Sequence, residues 1–533
     1  MSLEMSIPAD AHGHAHGKTA LGALEWLAIV AAGVILAFLI YDYVTPHHVT
    51  PVAEVAHAAP AHGAEHATEA AEPEGPPAGY EIPPIWACIP FAAILLAIAV
   101  LPLIPATAHW WESNKNRLVV SLSLAAVTLL YYAFVHPMTF NHVTHQTYTG
   151  MKSVVHVLQH AVLIEYIPFI VLLFSLYVIS GGISLRGDLA AHPVTNAAFL
   201  GVGGLLASFI GTTGASMLLI RPLLQTNKER KHVVHTVIFF IFIVSNCGGL
   251  LLPIGDPPLF LGYLKGVPFL WTLHLFVEWA VVVGGLLIIY YIWDTVAYRK
   301  EAKKDITLDE TQREKLKLRG GINFVWLIGI VLCVGMIDPS KPLPLLGFKP
   351  FPFMRELVML GLVFLSQRST SKEIYRLNQF NYHAILEVAA LFIGIFICMQ
   401  VPIEILHEKG RQLGLSEPWH FFWATGGLSA FLDNAPTYVV FFETAKTLPV
   451  VGHALDLSHG AGLSTISVEL LTAVSVGAVF MGALTYIGNG PNFMVKSIAE
   501  QSGVKMPSFF GYMAYSFGIL IPFFIAITLI FIV

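Results

Sequence analysis

Long apolar runs separated by short polar segments make up most of the chain. A helix that crosses a hydrocarbon core of about 30 Å needs roughly 20 consecutive apolar residues. The runs of about this length, some of them slightly shorter, predict membrane-spanning helices. They lie at 21–44, 85–107, 118–135, 161–185, 270–293, 322–337, 353–365, 383–406 and 509–533.

Two further apolar regions, 193–224 and 419–447, each contain two short arms that meet at a polar tip. The tips are Gly-Thr-Thr-Gly at 211–214 and Leu-Asp-Asn-Ala-Pro-Thr at 432–437. Because each arm is too short to cross the hydrocarbon core, both regions predict re-entrant hairpins.

Two long apolar regions, 233–264 and 468–498, are interrupted at 245–258 and 486–492 by glycine, proline and asparagine. These residues cannot continue a regular helix. In a membrane, such backbone is tolerated only where protein or a water-filled cavity surrounds it, and a carboxylate such as Asp256 is costly unless it functions. We therefore predict a binding site at 245–258. A kink or a loop at the membrane edge is the alternative.

An internal repeat relates 85–296 to 322–533, because three short matches occur in the same order in both parts. Each part also contains one predicted hairpin followed by one broken helix, so chance similarity is improbable. The matches pair 164–165 with 386–387, 203–205 with 426–428, and 254–260 with 487–493.

Lysine and arginine predict the orientation, because short loops rich in these residues stay in the cytoplasm. With about eleven transmembrane helices and two hairpins, this rule places the N-terminus inside and the C-terminus outside. The two repeats are then inverted, and inverted repeats with interrupted helices are typical of secondary transporters with a site near the membrane midplane. The predicted fold class is thus an all-α polytopic membrane protein of the inner membrane. The basic loops are 113–117, 227–231, 299–319 and 368–376.

The polar segments outside the repeats have their own predictions. Residues 1–20 form a His-containing cytoplasmic tail, and 21–44 is interpreted as a first transmembrane helix instead of a signal peptide. The Ala-, Pro- and His-rich segment 45–84 predicts a disordered external loop, and 297–321 a charged cytoplasmic linker. A transition-metal site in the histidines of 45–84 is the alternative, but their spacing matches no defined site.

Composition supports a membrane protein: 56% of the 533 residues are hydrophobic and 12% are charged. Soluble domains carry about 25% charged residues. The net charge is −5 and no basic cluster is interleaved with aromatic residues, which argues against nucleic-acid binding. The four cysteines lie in apolar segments without paired spacing, so buried thiols are expected.

The motifs Gly-Thr-Thr-Gly-Ala-Ser at 211–216, Asp-Asn-Ala-Pro-Thr at 433–437 and Ser-Asn-Cys-Gly-Gly…Ile-Gly-Asp-Pro-Pro at 245–258 resemble the ion transporter superfamily. The last motif is most similar to NhaD-type sodium/proton antiporters and to a neighbouring family labelled putative citrate transporters. The resemblance covers about residues 80–533. It implies a homodimer whose mobile transport domain moves against a scaffold in an elevator-like way, and one cation site at each pair of hairpin tip and helix break.

Sodium prefers oxygen ligands, which hairpin tips and broken helices expose. The candidate Na⁺ ligands in the narrow sense are Asp256, Asp433, Asn434 and Asn489. No resident cofactor is expected, because Na⁺ and protons are the transported ions. The wider set of candidate ion-binding residues adds Thr212, Thr213, Ser216, Ser245, Asn246, Gly255, Thr437, Gly488 and Asn492.

The two carboxylates favour a cation as the substrate, because they would repel a di- or tricarboxylate. A cation/proton exchanger needs a group that binds either a proton or Na⁺, and Asp256 and Asp433 fit that role. We predict exchange of Na⁺, with Li⁺ as a further candidate, for protons by alternating access. The alternative is Na⁺-coupled symport of citrate-like carboxylates, which the neighbouring family's label and the hydroxyl-rich 211–216 favour.

Glu165 and Glu387 begin matched helices and are candidates for a proton relay. A membrane enzyme would need a nucleophile–base pair or a metal cluster that faces water, and the sequence contains no such pattern. A channel is disfavoured because the interrupted helices come in inverted pairs, which suits alternating access. The sequence therefore predicts a secondary transporter and not an enzyme.

Overall fold

The computed structural model describes residues 80–136, 138–141, 146–311, 313–338, 341–343, 347–450, 452–457 and 465–532. All of them belong to one compact unit, 64–533. The predictions for the tail, the first transmembrane helix and nearly all of the His-rich loop fall on residues 1–79, outside the described part of the chain.

The first half of the described chain is mainly helical. A 3₁₀ turn at Ile85–Cys88 precedes α1, and a π-helical turn at Gln159–Tyr166 joins α4 to α5. The helices are α1 (Ile89–Val100), α2 (Pro105–Trp111), α3 (Asn114–Phe134), α4 (Met151–Leu158), α5 (Ile167–Gly181), α6 (Pro193–Ile210), α7 (Thr212–Thr226), α8 (Val234–Ile243), α9 (Pro257–Leu264), α10 (Phe276–Tyr298) and α11 (Lys303–Thr311).

The second half repeats the sequence of long helix, hairpin and broken helix. A π-helical turn at Thr528–Ile532 follows the last helix. The helices are α12 (Ile322–Met336), α13 (Met354–Ser369), α14 (Lys372–Leu377), α15 (His383–Lys409), α16 (Pro418–Leu432), α17 (Asn434–Lys446), α18 (Val468–Met481), α19 (Gly490–Gln501) and α20 (Phe509–Ile527).

Among the described residues, seven helical segments are long and apolar enough to cross a membrane, and eight if a bent pair near the start counts as one span. This confirms a mostly helical, multi-pass membrane protein, whereas the count of about eleven spans stays a prediction. The seven are Asn114–Phe134, Met151–Gly181, Pro193–Ile210, Val234–Leu251, Trp271–Tyr298, His383–Leu413 and Phe509–Ile532.

The span predicted at 85–107 differs from the structure. The helix bends by 102° between Ile85–Val100 and Pro105–Trp111. Pro102 and Pro105 explain the bend, because proline lacks the backbone N–H and disfavours a helical conformation in the residue before it.

In the described part of the chain, three short antiparallel sheets qualify the all-α prediction. They pair β1 (Met138–Asn141) with β2 (Gln146–Thr149), β3 (Ser184–Asp188) with β4 (Glu314–Arg319), and β5 (Ala454–Asp456) with β6 (Thr465–Ser467).

The β3–β4 sheet changes two sequence predictions. Residues 184–185 were assigned to the end of a span, yet Ser184 pairs with Arg319 and Leu185 with Leu318. The linker predicted as a charged loop therefore contains a helix and a strand, and the strand attaches it to the segment between α5 and α6 in the middle of the first half.

The broken helices lie at the centre of the fold. In Val234–Leu251, 94% of the most apolar 18-residue stretch is buried. The corresponding share is 28% in Trp271–Tyr298, which is peripheral. Hairpin α6–α7 also differs from the prediction, because α6 has 18 residues and is long enough to span by itself.

Gly248 allows the first helix break to pack against the hairpin. A Cβ atom at this position would lie 2.6 Å from the Gly204 Cα atom and 2.7 Å from the Ile243 carbonyl oxygen. These are backbone atoms, so no side-chain rotation can relieve the clash. The break and α6 are in contact because residue 248 has no side chain.

We expect Gly248→Ala to destabilise the protein by about 1–3 kcal/mol, the usual range for overpacking. The thermal unfolding midpoint of detergent-solubilised protein measures this effect. Gly284→Ala is the matched control, because a Cβ atom there meets nothing within 4 Å. An equal midpoint for the two variants would contradict the close approach.

Candidate ion-binding site

The two hairpin tips share one backbone conformation. Gly211 has φ 79° and ψ 149°, and Asp433 has φ 76° and ψ 136°. A positive φ suits glycine but is uncommon for aspartate. Two contacts hold Asp433 there: its Oδ1 accepts the Ala435 N–H at 3.2 Å, and the Thr437 hydroxyl donates to its carbonyl oxygen at 2.8 Å. Strain of this kind is often found at functional sites.

The two helix breaks also match each other. Asp256 has φ −141° and ψ 142°, and Asn489 has φ −153° and ψ 142°. Each residue caps a helix with proline in its first two positions, and a 3₁₀ turn precedes each of them, Cys247–Leu251 before Asp256 and Gly482–Leu484 before Asn489. The sequence match of 254–260 with 487–493 therefore corresponds to a match of local backbone structure.

Asp256 is the centre of the polar cluster between tips and breaks, and only 1% of its surface is exposed. Its Oδ1 accepts hydrogen bonds from the Thr212 hydroxyl at 3.0 Å and the Asn489 amide at 3.1 Å. Its Oδ2 accepts one from the Asn434 amide at 2.6 Å. Both halves of the chain thus stabilise this carboxylate, because Asn434 and Asn489 belong to the second half.

A network of asparagines fixes the surrounding geometry. The Asn246 amide donates to Asn492 Oδ1 at 2.7 Å, and the Asn489 amide donates to Asn246 Oδ1 at 3.2 Å. The Asn492 amide in turn donates to the carbonyl oxygens of Gly482 and Thr485 at 2.8 and 2.9 Å. These bonds tie the first break to the second.

The remaining predicted residues lie around this network. The Ser216 and Ser245 hydroxyls are 2.9 Å apart, and the Thr212 N–H donates to the Gly255 carbonyl oxygen at 2.9 Å. Thr213 follows Thr212 in the first turn of α7. In the second break, the Gly488 N–H donates to the Thr485 hydroxyl at 3.1 Å.

One buried acceptor in the cluster has no partner. Asn434 is fully buried, and its Oδ1 makes no hydrogen bond with any residue that the structure describes. The amide nitrogen of the same side chain contacts Asp256. An unpaired buried oxygen is unfavourable by about 1–3 kcal/mol, and a cation bound beside Asp256 would remove that cost.

The two candidate relay glutamates lie outside this cluster. Glu165 pairs with Lys265 at 2.9 Å and accepts a hydrogen bond from Gln400 at 3.0 Å. Glu387 pairs with Arg117 at 3.0 Å, and its side chain is 36% exposed. Neither glutamate hydrogen-bonds to Asp256 or Asp433 in the described chain, so the proton relay stays a prediction.

Sequence reasoning missed Lys265. Its Nζ atom is 2.9 Å from both Glu165 Oε1 and Glu443 Oε1. Glu443 also contacts His407 Nε2 at 3.2 Å and Lys446 Nζ at 3.0 Å. The sequence shows only a lysine at the end of the apolar stretch after Asp256. Its partners come from distant segments, so the local sequence does not indicate the ion pairs.

Apolar spans and interrupted helices whose polar residues meet around a buried carboxylate define a polytopic membrane transporter. The chain belongs to the family described as "Putative citrate transport", whose sequence model matches residues 80–532. No curated protein matches the sequence. The family match confirms the neighbouring citrate transporter family that the motifs resemble, whereas the closeness to NhaD-type antiporters stays a prediction.

We expect Lys265→Met to destabilise the protein by ~3–5 kcal/mol, because it removes the ammonium partner of the buried Glu165 and one of the two ammonium groups that contact the buried Glu443. The unfolding midpoint in detergent is the measurement, with the exposed Lys372→Met as control. Adding Glu165→Gln and Glu443→Gln to Lys265→Met should recover part of the loss. A triple variant less stable than Lys265→Met would show that charge pairing is not the cause.

Proposed function

We propose that this transporter exchanges Na⁺ for protons across the inner membrane, with Asp256 as the group that binds either ion. The observation that carries the proposal is that the buried Asp256 carboxylate accepts a hydrogen bond from the Asn434 amide, while the oxygen of the same Asn434 side chain has no partner among the described residues. Together with the Thr212 hydroxyl oxygen, they offer the hard oxygen ligands that Na⁺ prefers. Li⁺ is a further candidate for the same ligands.

Burial makes the two ions compete. A bare carboxylate in an apolar environment is unfavourable unless it is protonated, paired or hydrogen-bonded. A proton on Asp256 removes the charge that attracts Na⁺, and bound Na⁺ disfavours the proton. Each time the site moves across the membrane it therefore carries either Na⁺ or a proton. Antiport results when the two ions are carried in opposite directions.

Asp433 is the candidate for a second cation site at the other tip. Its helix-capping bond to Ala435 keeps the carboxylate at the tip, and the next residue, Asn434, donates a hydrogen bond to Asp256. Two neighbouring carboxylates favour a bound cation over a bound polycarboxylate. The resemblance to the ion transporter superfamily supports one cation site per tip and break.

Alternating access by an elevator-like movement, in a homodimer with inverted repeats, completes the proposal. The equal conformations of Gly211 and Asp433, and of Asp256 and Asn489, support two related structural repeats. The lysine- and arginine-rich loops support a cytoplasmic N-terminus and an external C-terminus.

Asp256→Asn should reduce Na⁺-dependent proton movement to the level of empty liposomes, because an amide cannot exchange a proton for Na⁺. The assay is a proteoliposome with an internal pH dye, pulsed with Na⁺, Li⁺ and K⁺. Asp456→Asn, at an exposed strand position, is the matched control and should leave transport unchanged. Full Na⁺-dependent exchange by Asp256→Asn would refute the proposal.

A relocated carboxylate sharpens this test. Asn489 has the same backbone conformation as Asp256, and its amide touches the carboxylate, so Asp256→Asn with Asn489→Asp moves the charge by only a few ångströms. Partial recovery of exchange is expected.

In the wild type, the half-saturating Na⁺ concentration should rise as the pH falls, approaching about tenfold per pH unit where the site is mostly protonated.

A second candidate is Na⁺-coupled symport of a citrate-like di- or tricarboxylate, which the family description favours. The N-terminus of α7, with Thr212 and Thr213 in its first turn, is a feature that can bind anions.

One assay separates the two candidates. Labelled citrate is added to proteoliposomes with and without a Na⁺ gradient, and uptake is followed beside the internal pH. Exchange predicts a Na⁺-dependent pH change without citrate and no citrate uptake. Symport predicts citrate uptake only with Na⁺, and that result would replace the exchange proposal.

A further inference from the structure

A cavity of about 260 Å³ lies where the start of α8 meets α10 and α20. Its polar part is basic: Lys231, His232 and Lys300 line it, and all three are exposed. No carboxylate belongs to its lining in the described part of the chain.

The nearby acids are already engaged. Asp294 pairs with Arg230 and with His235, whose Nε2 lies 2.8 Å from Asp294 Oδ1. Glu301 accepts the backbone N–H groups of Lys231 and His232 at 2.9–3.1 Å. The Glu301 bonds fix the backbone at Lys231 and His232 without engaging the side chains of these two residues.

Lys231 has one loose ionic contact, to Asp305 Oδ2 at 3.9 Å, and its side chain is 70% exposed. An exposed pair at this distance contributes little. The ammonium group is therefore available to a stronger anion such as a phosphate.

The other wall of the cavity is apolar and continuous with the outer surface of the transmembrane region. Trp293, Val296 and Tyr515 line it and are 39%, 49% and 37% exposed. On the same helix as Trp293, Ile288 and Ile292 are 63% and 59% exposed. Exposed aliphatic side chains on a membrane-spanning helix contact lipid chains.

Aromatic packing shapes the cavity. The Trp293 ring lies 6.2 Å from that of His235, with only 9° between their planes, and 6.2 Å from that of Tyr515. The indole therefore connects helices α8, α10 and α20 at the membrane boundary, where tryptophan and tyrosine commonly lie.

We propose that this cavity binds the headgroup of an anionic phospholipid. The phosphate contacts Lys231, Lys300 and His232, and the acyl chains run along the apolar side formed by Trp293 and Val296. Basic side chains beside a lipid-facing apolar wall suit a molecule with both an anionic group and an apolar chain. A soluble anion would contact only the basic side chains. This site is separate from the exchange reaction.

Native mass spectrometry of the full-length protein tests the proposal, with phosphatidylglycerol and phosphatidylcholine titrated separately. Wild-type protein should retain phosphatidylglycerol preferentially. Lys231→Gln with Lys300→Gln should weaken its binding about 30-fold, from roughly tenfold per 1.4 kcal/mol and about 1 kcal/mol per lysine. The matched control is Lys303→Gln with Lys304→Gln. It removes two exposed charges outside the cavity, from the linker that also contains Lys300, and should change little.

Three results would overturn the proposal. They are equal retention of both lipids by the wild type, equal loss of phosphatidylglycerol in the two double variants, and complete displacement of the lipid by millimolar inorganic phosphate. The last would assign the cavity to a soluble anion. Both double variants alter exposed side chains only, so size-exclusion profiles like that of the wild type are expected and verify folding.

Discussion

The burial of the Asp256 carboxylate constrains this structure more than any other single feature. A charge in a low-dielectric interior is unfavourable unless hydrogen bonds or a counter-ion stabilise it. Three donors meet this requirement, and two of them, Asn434 and Asn489, come from the second half of the chain. The hairpin tips, the broken helices and the contact between the two halves therefore depend on one another.

The same requirement explains why the helices are broken. A continuous helix satisfies its own backbone groups and has none left for a ligand. The interruptions at Asp256 and Asn489 free backbone groups at the centre of the protein, and asparagine side chains donate to three carbonyl oxygens there, those of Ser245, Gly482 and Thr485. These hydrogen bonds help to stabilise the polar interior.

Local chemistry made the breaks and tips predictable from sequence. Clusters of glycine, proline and asparagine disfavour a continuous helix, so 245–258, 432–437 and 486–492 could be recognised without tertiary information. The internal repeat then suggested that the two sets belong together. The hydrogen bonds from Asn434 and Asn489 to Asp256 agree with that suggestion.

Long-range pairing set the limit of that reasoning. In the sequence, Lys265 resembles an ordinary lysine at the membrane interface. Its two ion pairs form only in the folded protein, where α17 places Glu443 and the π-helical turn places Glu165 beside it. The β3–β4 ladder joins segments about 130 residues apart in sequence, and neither strand has a strong local signal. The 102° bend, by contrast, has a local cause in the sequence, namely Pro102 and Pro105.

The ion-pair cluster around Lys265 has an electrical consequence. Its two glutamates, Glu165 and Glu443, face two ammonium groups, those of Lys265 and Lys446, so the four formal charges cancel. Moving one net charge through 100 mV involves about 2.3 kcal/mol, whereas a neutral group moves through the same field without electrical work. Under the proposed exchange, the voltage dependence of the cycle thus originates at the site of Asp256 and Asp433, and the buried cluster adds no net charge while His407 is neutral.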